Sequence, residues 1–288
     1  MILITGINSF VGSHLAKELI RKNLKFIGVD LNLKENKYCK KIDIRDKKIE
    51  KYITPQSTII HLAALSTDKL CKEKPNLAFD VNINGTINLI NIAKNKKIKK
   101  FIFASTEWVY GNFTKKIQSE SDEIKIESLD SLYAITKAVG ERLLLSKINK
   151  FKKIILRFGI IYGNRHQNLS ALESIFLNCL KNKHVILGSK KTSRRFIHID
   201  DVVSGIMEML KYKKDEIFNL SGSRNITLED IVQASSKILE KKIKIIEKDS
   251  SILSVRQPSN SKLKMKTNWH PKVRLTDGIL QLKKYWQI

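Results

Sequence analysis

Met1-Ile2-Leu3-Ile4-Thr5-Gly6-Ile7-Asn8-Ser9-Phe10-Val11-Gly12 reads as an apolar strand that meets a glycine turn and passes at once into a helix. Gly6 lets the chain turn tightly, and from Val11 to Lys22 apolar residues recur at helical spacing. Glycine in such a turn allows the backbone to approach a pyrophosphate, whose charge then rests on the first amides and the positive dipole end of the helix. A pair of glycines alone is a weak sign. Asp30 strengthens it, because it closes the next apolar run 18 residues after Gly12. A carboxylate there can accept hydrogen bonds from both adenosine ribose hydroxyls and would repel a 2′-phosphate, which favours NAD over NADP.

Outward from this turn, apolar runs of strand length alternate with amphipathic stretches of helix length. Strands are predicted near Met1–Thr5, Lys25–Asp30, Thr58–Leu62, Lys100–Ser105, Lys153–Phe158 and Glu216–Leu220, with helices near Val11–Lys22, Asn76–Lys94, Ser131–Lys147 and Asp200–Leu210. Strands that are apolar throughout, rather than alternating, indicate a parallel sheet covered on both faces. The fold class is therefore α/β, a doubly wound parallel sheet of the Rossmann kind. After Gly163 the pattern loosens into helices near Ala171–Lys181, Leu228–Leu239 and Thr276–Trp286 and strands at Val185–Leu187 and Lys242–Ile246. The expected division is a dinucleotide domain over 1–164 and 196–222 and a smaller α/β substrate lobe over 165–195 and 223–288.

Composition narrows the class. A chain of 288 residues can bury most of the surface it exposes when unfolded, so it needs no disulfide or metal staple. Three cysteines, Cys39, Cys71 and Cys179, have no Cys-x-x-Cys spacing, and the six histidines have no metal-ligand spacing, so no metal is expected. With no charged head and cleavage site before the first strand, and no long apolar run, a cytoplasmic protein without a membrane segment is expected. The net charge of +26 invites a nucleic-acid reading. Against it, 44 of the 54 basic residues are lysines scattered along the chain, whereas base readers and bidentate phosphate clamps favour arginine. No nucleic-acid partner is expected, although the field draws in acidic small molecules.

Five motifs occur in order: the glycine turn, His61-Leu62-Ala63-Ala64, Asn82-Ile83-Asn84-Gly85-Thr86, Ser105-Thr106-x-x-Val109-Tyr110-Gly111 and Tyr133-Ala134-Ile135-Thr136-Lys137. Together they resemble the extended short-chain dehydrogenase/reductases, and more narrowly the NAD-dependent nucleotide-sugar epimerase/dehydratases of the UDP-glucose 4-epimerase kind. The resemblance implies that Gly6, Ser9, Phe10, Val11 and Gly12 hold the pyrophosphate of NAD, Asp30 the ribose, and Asp43 and Ile44 the adenine. Leu62, Ala63, Ala64 and Asn82 would hold the rest of the dinucleotide, together with Tyr133 and Lys137. Ser9 stands where the family has its middle glycine, so altered packing is expected there rather than lost binding.

Tyr133 and Lys137 are four apart on a predicted helix, which stacks the ammonium one turn from the phenol. A phenol of pKa about 10 is a poor base at neutral pH, but positive charge from Lys137 and an oxidised nicotinamide favours the phenolate. The phenolate can then take the proton of a sugar hydroxyl, with Thr106 holding the same oxygen. Glu107 keeps a carboxylate after Thr106 and joins these three as a catalytic candidate. Dehydratases resembling this chain carry a second carboxyl next, where Trp108 stands here, so dehydration is disfavoured. Arg194-Arg195-Phe196-Ile197-His198-Ile199-Asp200-Asp201-Val202 resembles the family segment in which the arginine grips the substrate diphosphate, with Arg195 in place of an aspartate. Arg256 matches a second such arginine, and Arg194, Arg256, Trp108 and Arg165 form the expected substrate-binding set. Ile160 replaces an asparagine that contacts the substrate nucleotide.

The reading is an NAD-dependent epimerase of a nucleoside-diphosphate sugar, acting at C4 through a transient 4-keto intermediate. The rivals are an NAD(P)H-dependent nucleotide-4-ketosugar reductase and a non-catalytic NAD-binding regulator on the same fold. The resemblance also implies a homodimer, formed through the helices near Asn76–Lys94 and Ser131–Lys147.

Overall fold

The computed structural model describes residues 1–111, 117–146 and 149–286. In chain order the elements are β1 (Ile2–Thr5), α1 (Phe10–Arg21), β2 (Phe26–Asp30), β3 (Cys39–Lys41), β4 (Thr58–His61), α2 (Asp68–Glu73), α3 (Pro75–Phe79), α4 (Gly85–Asn95), β5 (Lys100–Thr106), α5 (Leu132–Leu145) and β6 (Lys152–Phe158). They continue as β7 (Ile161–Tyr162), α6 (Ala171–Lys181), β8 (His184–Leu187), β9 (Ser193–Arg194), β10 (Ile197–His198), α7 (Ile199–Lys211), β11 (Glu216–Leu220), β12 (Ile226–Thr227), α8 (Leu228–Leu239), β13 (Lys244–Glu247), α9 (Ser261–Thr267) and α10 (Leu275–Tyr285).

Seven strands form one parallel sheet in the order β11-β6-β5-β4-β1-β2-β3. The chain winds outward from β1 through β2 to β3, then crosses back to β4 and winds the other way. That reversal places a crevice at the carboxyl ends of β1 and β4, where ligands of open α/β sheets bind. Registers are in step, with Thr5 of β1 opposite Val29 of β2 on one side and His61 of β4 on the other. Every residue of β5 is buried, which is why its run had to be apolar rather than alternating. Leu3, Val29, Ile59, Phe101, Phe103 and Ile155 meet in the core of this unit.

Two compact units are present. The first holds residues 1–111, 121–146, 149–157 and 206–218, and the second holds 117–120, 158–205 and 219–286, counting described residues only. The second has its own core of Tyr162, Leu172, Phe176, Val185, Ile231 and Ile279. Around that core lie three two-stranded ribbons, β7 with β10, β8 with β13 and β9 with β12.

The single helix expected over Asn76–Lys94 is a composite. α3 and α4 are joined by a π-helical turn at Asp80–Asn84, in which the Gly85 amide donates to the Asp80 carbonyl five residues back. β3 and α2 also went unforeseen. β3 is a three-residue edge strand of Cys39, Lys40 and Lys41, none of them fully buried, so it leaves no apolar run to detect.

Candidate cofactor and reaction site

Packing dictates both glycines of the first turn. Gly6 has φ of +73°, and a Cβ there would lie 2.7 Å from the Ala63 nitrogen. A Cβ on Gly12 would lie 2.2 Å from the Gly6 carbonyl oxygen, so only glycine lets α1 start this close to β1. Ser9 needs no such freedom. Its φ of −71° is ordinary, and its Oγ accepts the Gly12 amide at 3.0 Å as the N-cap of α1. The departure from the glycine pattern thus supplies a helix cap. Phe10 and Val11 give the first turn of that helix, with the Phe10 ring edge-on to His14.

At the end of β2, the Asp30 carboxylate accepts the amides of Asn8 at 3.1 Å and Asn32 at 3.2 Å, tying the glycine turn to the strand end. Beside it opens a cleft of about 630 Å³ lined by Ile7, Asn8, Asn32 and Lys34 among others. Asp43 is held by Arg45, whose Nε lies 3.0 Å from both carboxylate oxygens and which also reaches Asp80. This pairing holds the Asp43 carboxyl below its ordinary range. Ile44 is buried against Gly85, and its carbonyl accepts from Asn88 Nδ2 at 2.7 Å.

Leu62, Ala63 and Ala64 leave the end of β4 at the crevice. The Leu62 amide donates to the Thr5 carbonyl at 3.1 Å, and the Ala63 amide to Thr5 Oγ1 at 3.2 Å. Beneath them runs a polar chain whose protons can be counted. Thr86 Oγ1 donates to the Asn82 carbonyl at 2.6 Å, so it accepts from His61 Nε2 at 3.0 Å. Burial, with the Lys137 charge second, keeps His61 well below the usual histidine value, so the ring is neutral with its proton on Nε2. Its Nδ1 then accepts from Thr5 Oγ1 at 2.7 Å, a hydroxyl that also accepts the Ala63 amide. The Asn82 side chain accepts the Leu65 amide at 2.8 Å and donates to the Leu65 carbonyl and to Thr136 Oγ1. It fastens the loop after β4 to α5.

Tyr133, Lys137 and Glu141 share one face of α5, which packs on β5. A Cβ on Gly140 would lie 2.6 Å from Phe103 Cζ, and Lys137 Nζ sits 4.6 Å from the centroid of the same ring. Thr106 ends β5 and caps the short helix Glu107–Tyr110. Its Oγ1 accepts the Trp108 amide at 3.3 Å, which leaves the hydroxyl proton to donate. Glu107 is buried, and Trp108 packs against the cluster of Val109, Leu129, Ala134 and Ala138. Lys137 is 3% exposed, and burial draws its pKa down to about 8 despite the Glu141 charge. Burial, and secondarily the Cys71 thiol, holds the Tyr133 phenol above its ordinary value. The phenolate is thus disfavoured in the protein alone and needs a positive charge brought in beside it.

Sequence reading missed what supports this face. Glu141 receives Ser105 Oγ at 2.5 Å and a two-pronged bond from Arg157, Nε to Oε1 at 3.0 Å and Nη2 to Oε2 at 2.8 Å. Arg157 Nη1 also donates to the Tyr110 hydroxyl at 3.0 Å. Asp68 of α2 accepts from Ser131 Oγ at 2.8 Å, the residue that caps α5 just ahead of Tyr133. The helical spacing of Glu141 from Lys137 was a usable signal, whereas its partner on β6 was not.

In the second unit, Arg194 Nη1 donates to the carbonyls of Ser193 at 2.8 Å and Ser254 at 2.7 Å. Arg256 is buried, and its amide donates to the Ser193 carbonyl. Arg165 forks onto Glu173, Nε to Oε1 at 2.8 Å and Nη2 to Oε2 at 3.0 Å. Glu173 also accepts the Gly163 and Ser170 amides, so Arg165 secures the start of α6. Among the described residues no group of three His, Cys, Asp or Glu side chains could hold a metal, and no helix is long and apolar enough to cross a membrane.

A helix N-terminus pressed on a positive-φ glycine, with a carboxylate closing the second strand, suits a dinucleotide. With the Thr106, Tyr133 and Lys137 set, these features define an enzyme class, the extended short-chain dehydrogenase/reductases. The model of the NAD dependent epimerase/dehydratase family matches residues 2–221, and the chain belongs to that family. It is 27% identical over 303 residues to UDP-glucuronate 4-epimerase of Thermodesulfobacterium geofontis, covering 96% of this chain and 93% of that protein. A UDP-N-acetyl-alpha-D-glucosaminuronate decarboxylase of Bacillus cytotoxicus is 28% identical over 304 residues, with 96% and 94% covered. Among solved structures, UDP-glucuronic acid 4-epimerase of Bacillus cereus in complex with UDP-glucuronic acid and NAD matches with a TM-score of 0.85 at 25% identity, covering 99% of this chain and 98% of that one.

Proposed function

We propose that this protein epimerises a nucleoside-diphosphate sugar at C4, with Tyr133 as the base. The observation that carries the reading is the burial of Lys137 one helical turn from Tyr133, on a helix packed against the strand that ends in Thr106. Gly6, Ser9, Phe10, Val11 and Gly12 would hold the pyrophosphate of NAD, Asp30 its adenosine ribose, and Asp43, Ile44, Leu62, Ala63, Ala64 and Asn82 the walls around it. NAD, when bound, supplies a hydride acceptor at the sugar carbon and a positive ring. The Lys137 ammonium and that ring lower the cost of the Tyr133 phenolate. Tyr133 takes the C4 hydroxyl proton and later returns it, while Thr106 donates to the same oxygen and fixes it. Glu107 lines the sugar pocket. Arg194 and Arg256, in the second unit, take the diphosphate by paired guanidinium contacts.

Support comes from the family and from relatives that act on UDP-sugars. A panel of UDP-, GDP- and dTDP-sugars tests the reading: epimers form without net consumption of cofactor, and oxidation of NAD(P)H on ketosugars would replace it with the reductase. Tyr133→Phe is expected to lower kcat by about 10²- to 10⁴-fold, and a variant with full activity excludes the phenolate. The dimer belongs to the same proposal. Leu77 and Phe79 of α3 are large apolar side chains left exposed, and sedimentation should give twice the chain mass.

A further inference from the structure

The second unit gathers three of the chain's ten arginines on adjoining segments. β9 carries Arg194 and is followed by Arg195, and the segment with Arg256 runs beside it through the Ser193–Val255 bridge. On the other side β12 is antiparallel, with Ile226 opposite Arg194 and Thr227 opposite Ser193. Arg195 and Asn225 are the next residues beyond this two-residue pairing.

The two adjacent arginines have opposite surroundings. Arg194 is fastened to Ser254 through the carbonyl and, at 2.9 Å, the hydroxyl. Arg195 is half-buried, its Nε is shut off from solvent, and its guanidinium makes no hydrogen bond or ion pair with any described residue. Asn225 Nδ2 donates to Ser193 Oγ at 3.1 Å, while its Oδ1 is buried without a donor. An unused cationic donor and an unused acceptor therefore flank the end of one strand pair without bonding each other. Buried polar atoms are nearly always satisfied, and a cation with part of its donor edge shut off from water gains from an anion that completes it. A guanidinium edge matches a phosphate or carboxylate fork.

We propose that Arg195, together with Asn225 at the same strand end, binds an oxyanion of the nucleotide-sugar substrate, either a phosphate of the diphosphate or a carboxylate on the sugar, with Asn225 Oδ1 accepting an adjacent hydroxyl. This rests on the nucleotide-sugar reading above. Burial holds the Arg195 guanidinium below its ordinary value, and no carboxylate offsets it.

Titration calorimetry of the full chain and its Arg195→Gln variant, with inorganic pyrophosphate, UDP, UDP-glucose and UDP-glucuronate, tests this. The variant is expected to bind about 10- to 100-fold more weakly. A loss shared by all four probes assigns the phosphate, and a loss confined to UDP-glucuronate assigns the carboxylate. Unchanged affinity for every probe that the wild type binds overturns the proposal. Pyrophosphate bound through Arg195 while neither UDP-sugar binds would remove UDP-sugars as substrates and leave the anion site standing, and a wild type that binds none of the four would overturn the proposal. Thermal melting without ligand separates binding from structure: Arg195→Gln should melt no lower than the wild type, and a drop of several degrees would show a structural role and overturn the proposal.

Discussion

Arg157 is an arginine withdrawn from water and Arg195 one that is half-buried with its Nε shut off, and their partners differ completely. Arg157, 3% exposed, meets a Glu141 that is 1% exposed, adds the Tyr110 hydroxyl, and is held above its ordinary pKa by that company. Arg195 has burial and no partner. The first arrangement is complete within the protein, so it fixes geometry, bracing α5 against β6 beneath the reacting face. The second is incomplete, and an incomplete charge is what a ligand can finish. Lys137 shows a third outcome: unpaired by any direct bond among the described residues, it can shed its proton.

The largest expected effect comes from breaking the completed pair. Glu141→Ala strands Arg157 in the interior and should cost about 3–5 kcal/mol in chemical denaturation, with Ser105 also losing its acceptor. A smaller loss would mean that Arg157 finds water.

Lys137 follows. Its folded pKa of about 8 lies below the ordinary 10.5, so below pH 8 the folded state bears the full cost of a dry charge. Between about 8 and 10.5 the folded protein releases the proton before the unfolded chain does, and stability rises with pH by up to about 3 kcal/mol. Lys137→Met should remove that rise, visible as a flatter curve of stability against pH. In the proposed mechanism activity should move the opposite way and fall above pH 8, because there the ammonium is assigned the role of favouring the phenolate.

Lys100 offers a milder contrast. It is buried with a pKa drawn down to about 8, yet its ammonium donates to the carbonyls of Met209 at 2.6 Å and Leu210 at 2.8 Å near the end of α7. Lys100→Met should cost about 1–3 kcal/mol by leaving those carbonyls unmet. Smallest of all, Arg195→Met should stay within about 0.5 kcal/mol of wild type or gain stability, since nothing in the fold depends on its charge.

What could be read from sequence follows the same division between local and distant partners. The strands of the sheet centre were legible because burial on both faces makes them apolar, and the turn at Gly6 because the geometry tolerates no Cβ. The placement of Tyr133 and Lys137 on one face of α5 was legible because it is a helical spacing. The Glu141–Arg157 pair joins a helix to a strand 16 residues on, and no local period announces it. Arg165 reads as a substrate contact, but its guanidinium forks onto Glu173 eight residues away, which fixes the start of α6. Asn82, matched to the cofactor pocket, spends its amide on Leu65 and Thr136. Composition could not foresee such commitments, because they depend on which elements the fold brings side by side.

The π-helical turn at Asp80–Asn84 adds a residue to one loop of helix. Each residue of an α-helix advances the azimuth by about 100°. Removing one residue from this segment would leave both helices intact yet swing everything after it by about a quarter turn. Gly85 would leave Ile44, Thr86 would leave His61, and the proton chain under the crevice would lose its far anchor. The bulge thus acts as a phase shifter, aiming two stretches of one helix at different targets.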